Sequence, residues 1–151
     1  MIDISGHLRP YRNELGFEDN TTDFVINCCG YQHFLTKDFS RLRPNGRLDF
    51  QLIYISNGCG YFKLNHQWIK REKGDIQIFL PGERQEYTYY AKDTPEVFWI
   101  HFTGKNCKKL LEEYDIHSCH IGENILFKTL FQEIILELQL KKYGFEAYIA
   151  S

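Results

Sequence analysis

The chain has 151 residues, of which 43% are hydrophobic, and this size and composition fit one domain with a single core rather than a disordered chain. It carries 18 Lys and Arg against 20 Asp and Glu, and the net charge of -2 disfavours a free-standing nucleic-acid binder, which usually has a basic excess. No apolar run approaches the ~18 residues of a membrane span, no signal peptide is recognisable, and the five cysteines lack a C-x-x-C pair, so we expect a cytoplasmic protein with reduced thiols and no membrane partner.

The first 23 residues are predicted to form an irregular N-terminal arm. Gly6, Pro10 and Gly16 fall at short intervals there, and an Asp-Asn-Thr-Thr stretch follows at 19–22. These residue types cluster in turns and loops, where they interrupt regular backbone hydrogen bonding. We therefore place the arm at residues 1–23, ahead of the first strand.

A series of short strands is predicted over residues 24–104. The strands are placed at 24–29, 49–56, 61–64, 67–70, 76–80, 85–90 and 96–103. They are rich in aromatic and β-branched residues, and turn sequences such as Asn57-Gly58 and Pro81-Gly82 separate them. Many short strands at regular spacing indicate an antiparallel barrel or jelly roll.

After Gly104 the apolar residues change to helical spacing. A first helix is predicted at 107–114 and a second at 123–142. The fold class is therefore mainly β, or α+β, with a jelly-roll barrel followed by C-terminal helices. Residues 145–151 have the pattern of a third helix, and because seven uncapped residues form only a marginal helix, we expect the chain to be a fragment cut inside an element.

The segment from Gly74 to Tyr87 resembles a degenerate second cupin motif. Metal-binding cupins place a histidine just after the Pro-Gly turn, where this chain has Gln85, a poor ligand for a transition metal. The first cupin motif supplies two further histidines and a glutamate, yet residues 46–60 contain neither type. The missing ligands disfavour a metal-dependent cupin enzyme, such as an isomerase or dioxygenase, which stays the alternative hypothesis.

A longer set of segments carries a more specific resemblance through its order and spacing. The segments are RPNGRLDFQLIY at 43–54, GCG at 58–60, GD at 74–75, PGERQEY at 81–87 and WIHFTG at 99–104. Together they resemble the N-terminal effector-binding domain of AraC-family transcriptional regulators, over roughly residues 25–145. The resemblance implies a cupin-like barrel that holds a small effector, commonly a sugar, followed by helices that dimerise.

The same resemblance implies how the protein is organised and what it binds. Residues 24–104 would form the effector-binding barrel, and 105–151 a helical dimerisation region that is truncated. We expect the family's DNA-binding domain, with two helix-turn-helix units, to be absent from this chain. We therefore expect a sensor without catalytic activity or cofactor, a homodimer in the intact protein that is weakened here, and DNA contact only through the absent domain.

The resemblance also assigns ligand contacts. In the arabinose-responsive member, the sugar is contacted by an Arg ahead of the Pro-x-Gly segment, matching Arg43, by a Tyr after the Pro-Gly turn, matching Tyr87, and by a stacking Trp, matching Trp99. Val97 replaces a histidine of that member, so arabinose itself is not the expected effector. Residues 7–11 are the stretch of the arm expected to close over the ligand.

Strand alternation extends this set, because residues two apart in a strand share a face. If Tyr87 points inward, Gln85 and Tyr89 do too, and if Trp99 points inward, so does His101. Aromatic faces together with an arginine and a carboxamide suit a polar, ring-shaped ligand, and we expect a carbohydrate. Each residue also has a purely structural interpretation, as barrel core for Trp99, Tyr87, Tyr89 and His101 and as a surface loop residue for Arg43.

Three further interpretations stay open. Arg47 and Asp49 share a strand face and are expected to pair with each other. The cluster His117-Ser118-Cys119-His120 resembles a metal site only weakly, because zinc sites usually combine two spaced pairs of ligands, and a solvated loop is the expectation. A third hypothesis for the whole chain is a dimerisation module whose barrel interior is filled by side chains.

Overall fold

The computed structural model describes residues 1–140, which form two antiparallel β-sheets and two α-helices. The elements are β1 Ile2–His7, β2 Val25–His33, β3 Phe39–Arg43, β4 Phe50–Asn57, β5 Cys59–Leu64, β6 Gln67–Glu72, β7 Asp75–Phe79, β8 Gln85–Tyr89, a 3₁₀ turn Ala91–Asp93, β9 Glu96–Thr103, α1 Cys107–Glu113, β10 Cys119–His120 and α2 Ile125–Leu140. The predicted mainly β fold with C-terminal helices is confirmed. The predicted third helix at 145–151 lies outside the described residues.

The two sheets enclose the interior of the barrel between them. The larger has six strands in the order β1-β2-β9-β4-β7-β10, and the smaller has four in the order β3-β8-β5-β6. Side chains from both sheets pack between them, including Phe34, Phe62, Phe79 and Tyr89. Strands that are distant in sequence therefore contribute the side chains of the barrel interior.

The larger sheet is buried on both faces because α2 covers its outer side. Phe131, Ile135 and Leu138 are the buried residues of α2, and their spacing gives the helix one apolar stripe. They pack on Phe98 and Phe102 of β9, whose alternate neighbours point into the barrel. Strand β9 is thus apolar on its helix side and supplies barrel residues on the other.

The first strand was predicted as irregular arm, and the structure shows otherwise. Strand β1 pairs with β2 from Ile2 opposite His33 to His7 opposite Cys28. Gly6 does not break this strand: a Cβ there would lie 2.6 Å from both the Ile135 carbonyl oxygen and the Leu138 Cβ. The glycine therefore marks close approach of β1 to α2.

Strand β3 was also missed in the sequence, because FSRLR lacks the apolar alternation expected of a barrel strand. Phe39, Arg41 and Arg43 are half-buried on its inner face, and the residues between them are exposed. Arg41 and Arg43 make the inner face of β3 cationic, and this face borders a polar cavity. Residues 8–23 of the arm contain no helix or strand, as predicted, and Phe24, predicted to begin the first strand, lies just before β2.

Within residues 1–140, no helix is both long enough and apolar enough to cross a membrane.

Candidate functional site

A cavity of about 260 Å³ lies inside the barrel beneath the arm. Its walls come from the inner faces of both sheets and from the arm itself, with Arg43 and Tyr87 from the smaller sheet, Trp99 and His101 from the larger, and Phe17 from the arm. Side chains therefore do not fill the interior beside Trp99. This observation disfavours the hypothesis of a vestigial barrel.

Strand β8 confirms the predicted alternation, but only part of it reaches the cavity. Gln85, Tyr87 and Tyr89 are buried, and the two residues between them are half-buried. Tyr87 lines the cavity. Gln85 lies behind it, and its Oε1 accepts a hydrogen bond of 2.8 Å from Nη1 of Arg43, which is a cavity residue.

Tyr89 is placed differently from the sequence-based expectation. Its ring packs against Phe34 with 5.0 Å between centroids, and against Phe39 and Phe62. It lies in the aromatic core and is not among the residues that line the cavity. Alternation gives the face of a residue but not its depth along the barrel, so we omit Tyr89 from the proposed site.

Trp99 keeps an indole face at the cavity through two neighbours. On the same strand, the ring of His101 stacks on it with centroids 4.8 Å apart. On β2, Gly30 is paired with Trp99, and a Cβ at Gly30 would lie 2.2 Å from the indole ring. The glycine is therefore required where it stands, because only a missing side chain leaves room for the indole.

His101 contributes a neutral imidazole to the cavity wall. Burial, with smaller effects from Arg47 and Arg43, holds the pKa of His101 well below its ordinary value. Its Nδ1 lies 2.9 Å from Sγ of Cys28, while Nε2 is buried and has no hydrogen-bond partner among the described residues. Burial raises the pKa of Cys28 to about 12, so its thiol stays protonated. The imidazole can therefore hydrogen-bond a ligand through Nε2.

Arg47 and Asp49 form the expected pair, and it has a consequence that the sequence did not show. Arg47 Nε and Nη2 donate to the two carboxylate oxygens of Asp49 at 2.7 and 3.2 Å, with both residues buried. Arg47 also donates to the Glu14 carbonyl oxygen at 2.9 Å. The pair thus fastens the arm to the barrel, and we call it the arm anchor.

Two further residues, Asn27 and Gly16, support the arm anchor. Asn27 donates from Nδ2 to Asp49 at 3.0 Å and to the Phe17 carbonyl oxygen at 2.9 Å. Gly16 has φ of +79°, and a Cβ there would lie 2.2 Å from the Asp49 carboxylate. A glycine is needed at this crossing for its left-handed backbone and for space. The only sequence signals were the Arg-x-Asp spacing and the glycine itself.

The expected closing stretch of the arm does lie at the cavity. His7, Arg9 and Tyr11 all line it. The guanidinium of Arg9 lies 4.5 Å from the Phe17 ring centroid, and the Tyr11 ring meets the same ring edge-on. Arm side chains therefore form one wall of the cavity.

Arg41 is a cavity residue that the sequence analysis did not single out. It lies two residues before Arg43 on the inner face of β3, with its guanidinium 5.0 Å from the Phe39 ring centroid. Its Nε is buried without a hydrogen-bond partner among the described residues.

Burial, and to a lesser degree Arg47 and Arg41, lowers the pKa of Arg43 although Tyr87 favours its charged form.

Metal-ligand residues do not converge in the part of the chain that the structure describes, where no group of three or more His, Cys, Asp or Glu side chains could hold an ion. In the 117–120 cluster, the His117 ring contacts the Asp115 carbonyl oxygen at 2.9 Å, whereas His120 pairs with Asp75 at 2.7 Å. Both histidines are exposed. The expected solvated loop is therefore wrong for Cys119 and His120, which form β10 opposite Ile76 and Asp75 of β7, whereas His117 is exposed in the segment before it.

The barrel, its cavity and the covering arm define a ligand-binding domain of the cupin-like class. Residues 27–147 match the family model of the AraC-like ligand binding domain. The chain belongs to this family, which confirms the resemblance carried by its motifs. Comparison with curated protein sequences finds no match.

Several solved structures have a similar fold at low sequence identity. A putative ethanolamine utilization protein from Salmonella typhimurium is 10% identical, with a TM-score of 0.38, over 53% of this chain and 58% of that chain. The Cnp3 cupin domain of Schizosaccharomyces pombe is 13% identical, with a TM-score of 0.44, over 67% and 69%. The Cupin_2 domain of an XRE family transcriptional regulator from Enterobacter cloacae is 12% identical, with a TM-score of 0.40, over 67% and 95%. The chain thus spans little more than half of the ethanolamine utilization protein, and nothing about function is carried over from these structures.

Proposed function

We propose that this chain is the effector-sensing domain of an AraC-type transcriptional regulator, acting in the cytoplasm without catalysing a reaction. It binds a small polar molecule, a carbohydrate, inside the barrel and controls DNA binding by another domain of the intact protein. The observation that carries the proposal is the cavity itself, in a chain that belongs to a ligand-binding family. Arg43, Tyr87, Trp99 and His101 meet there from strands of both sheets.

The chemistry of these walls suits a sugar. The faces of Trp99 and Tyr87 can cover the C–H surface of a ring, while Arg43 and His101 can hydrogen-bond its hydroxyl groups. At about 260 Å³ the cavity holds a small molecule only. A purely apolar ligand would leave the polar wall atoms unpaired, at about 1–3 kcal/mol for each buried group.

The arm offers a route from ligand binding to regulation. A ligand that touches both the barrel and the arm residues His7, Arg9 and Tyr11 favours the closed arm, and it can shift the arm only by its difference in affinity for the two arm states. The first residues of the arm form β1, which packs against α2 at Gly6. Closing the arm therefore biases the position of the helix.

We further propose that the helical region mediates homodimerisation in the intact protein. Five large apolar residues of α2 are exposed to solvent, and they are Ile125, Leu126, Leu130, Leu136 and Leu140. Exposed apolar residues grouped on one element mark an interaction surface more often than scattered ones do. A helix displaced by the arm would carry the signal to this surface.

The two tryptophans of the chain allow a direct test of the binding site. Trp99 lines the cavity, whereas Trp68 is exposed on the outside of β6. In the Trp68→Phe protein, Trp99 is the sole indole, and we expect its fluorescence to change as a sugar is titrated in. In the matched Trp99→Phe protein, the sugar should produce no change at Trp68 and bind more weakly by calorimetry.

The outcome against the proposal is equally specific. If sugars and other small polar metabolites change neither the Trp99 fluorescence nor the Tm, the sensing function is wrong. Stoichiometric iron, manganese or zinc in the purified protein, bound inside the barrel, would favour the alternative of a cupin enzyme.

A further inference from the structure

The cavity holds more positive charge than its own carboxylates can neutralise. Five arginines and three acidic residues line it, and they are Arg9, Arg12, Arg41, Arg43, Arg47, Asp3, Glu14 and Asp49. Asp49, the buried acidic residue among them, is fully engaged by Arg47 in the arm anchor. Asp3 and Glu14 are exposed at the rim. The interior of the cavity is therefore left with unmatched cations.

Two of these cations stand side by side on one strand. Arg41 and Arg43 project from the same face of β3, because they are two residues apart. Neither has a carboxylate within 4.0 Å among residues 1–140; the hydrogen bonds of Arg43 go to the uncharged groups of Gln85 and Tyr87. Half-burying two unpaired guanidinium groups costs free energy that an anion in the cavity would recover.

Neutral polar atoms of other cavity residues also lack partners. His101 Nε2, Asn27 Oδ1 and Gln51 Oε1 are buried atoms of cavity residues, and none of them has a hydrogen-bond partner among the described residues. Unpaired buried polar atoms that converge on one cavity are suited to the hydroxyl groups of a ligand. The ligand must then offer hydroxyls as well as negative charge.

We propose that the effector is a sugar acid, a small ring-bearing molecule with hydroxyl groups and one carboxylate, and that Arg41 and Arg43 bind the carboxylate. A guanidinium presents parallel N–H donors that match the two oxygens of a carboxylate, which makes such pairs stronger than neutral hydrogen bonds. Tyr87 and Trp99 line the same cavity and can contact the ring. This assignment rests on the proposed sensing function and names the class of its effector.

Matched sugar pairs separate charge from shape in the test. Calorimetry compares D-galacturonate with D-galactose and D-glucuronate with D-glucose, using the whole chain at low and high salt. We expect at least one uronate to bind roughly tenfold or more tightly than its neutral partner, as a charge-assisted hydrogen bond implies. High salt should reduce this preference, because Arg41 and Arg43 are only half-buried and their charges are partly screened.

Variants assign the preference to residues. Arg41→Gln should lower uronate affinity by about tenfold and leave the neutral sugar within about twofold. Arg43→Gln should weaken both sugars, because Arg43 also hydrogen-bonds hydroxyl groups, but it should weaken the uronate more and so reduce the preference. Arg84→Gln is the control, because Arg84 is exposed and pairs with Glu86 outside the cavity. Unchanged circular dichroism and Tm would show that each variant is folded.

The results distinguish this proposal from the function on which it rests. If neutral sugars bind as tightly as uronates, or if both Arg variants keep the full preference, the sugar-acid proposal is wrong while sensing stands. The same holds if only uncharged probes change the Trp99 fluorescence. If no small polar molecule of either charge binds, both proposals fail.

Discussion

The two ends of the barrel interior differ sharply although the same strands build them. At one end, which we call the packed end, Phe34, Phe62, Phe79 and Tyr89 form a close aromatic cluster. At the other, the open end, Arg43 and the cavity residues around it leave about 260 Å³ under the arm. Inward-facing positions of one strand therefore serve stability at the packed end and recognition at the open end, because only the open end is roofed by a polar, irregular segment.

Removing a ring from each end should separate these roles most clearly. Phe62 is fully buried against Phe79, Tyr87 and Tyr89, so Phe62→Ala should lower the free energy of unfolding by about 4 kcal/mol through loss of contacts and a new cavity. Trp99→Ala at the half-buried open end should cost about half as much. Urea denaturation measures both, and an equal loss in the two variants would contradict the division.

The arm anchor joins the open end to the arm, so disrupting it is a second test of the difference between the two ends. Asp49→Asn leaves the Arg47 guanidinium buried without its carboxylate, and we expect a loss of about 3 kcal/mol in the free energy of unfolding. Limited proteolysis should then cut the arm between residues 8 and 23 faster than in the unaltered protein.

The double variant Arg47→Met with Asp49→Leu is the control for the anchor. It removes both charges together and should recover part of the lost stability, because no unpaired buried charge remains. The arm should nevertheless stay loose, since the hydrogen bond to the Glu14 carbonyl is also lost. Proteolysis that is slow in both variants would show that other contacts hold the arm.

The smallest expected effect concerns two tyrosines on one strand. Tyr87 borders the cavity and hydrogen-bonds Arg43, whereas Tyr89 lies in the packed end. Tyr87→Phe should weaken effector binding by about 1 kcal/mol, roughly fivefold, and Tyr89→Phe should leave binding unchanged. Calorimetry with the ligand found above decides this, and weaker binding in the Tyr89 variant would return that residue to the site.

The sequence predicted most of the strands and the inward face of β8 because strand alternation is a local property. It also led to the family, since the order and spacing of short motifs survive without any knowledge of contacts. It failed at β1 and β3 for a shared reason. The residues of both strands are determined by contacts with distant parts of the chain. Gly6 makes room for α2, more than a hundred residues later, and the arginines of β3 face a cavity covered by the arm.

What the sequence determined by itself was the class of the protein: a β-barrel with helices, in the AraC-like ligand binding family, with aromatic and arginine side chains on inward faces. Only the tertiary structure decided which inward residues meet the cavity, so that Tyr87 does and Tyr89 does not. It also decided that the Arg47–Asp49 pair, which the sequence predicted, holds the arm, and that Arg41 and Arg43 keep unmatched charge. Depth along a barrel and contacts with distant segments depend on parts of the chain brought together by folding, and no local pattern records them.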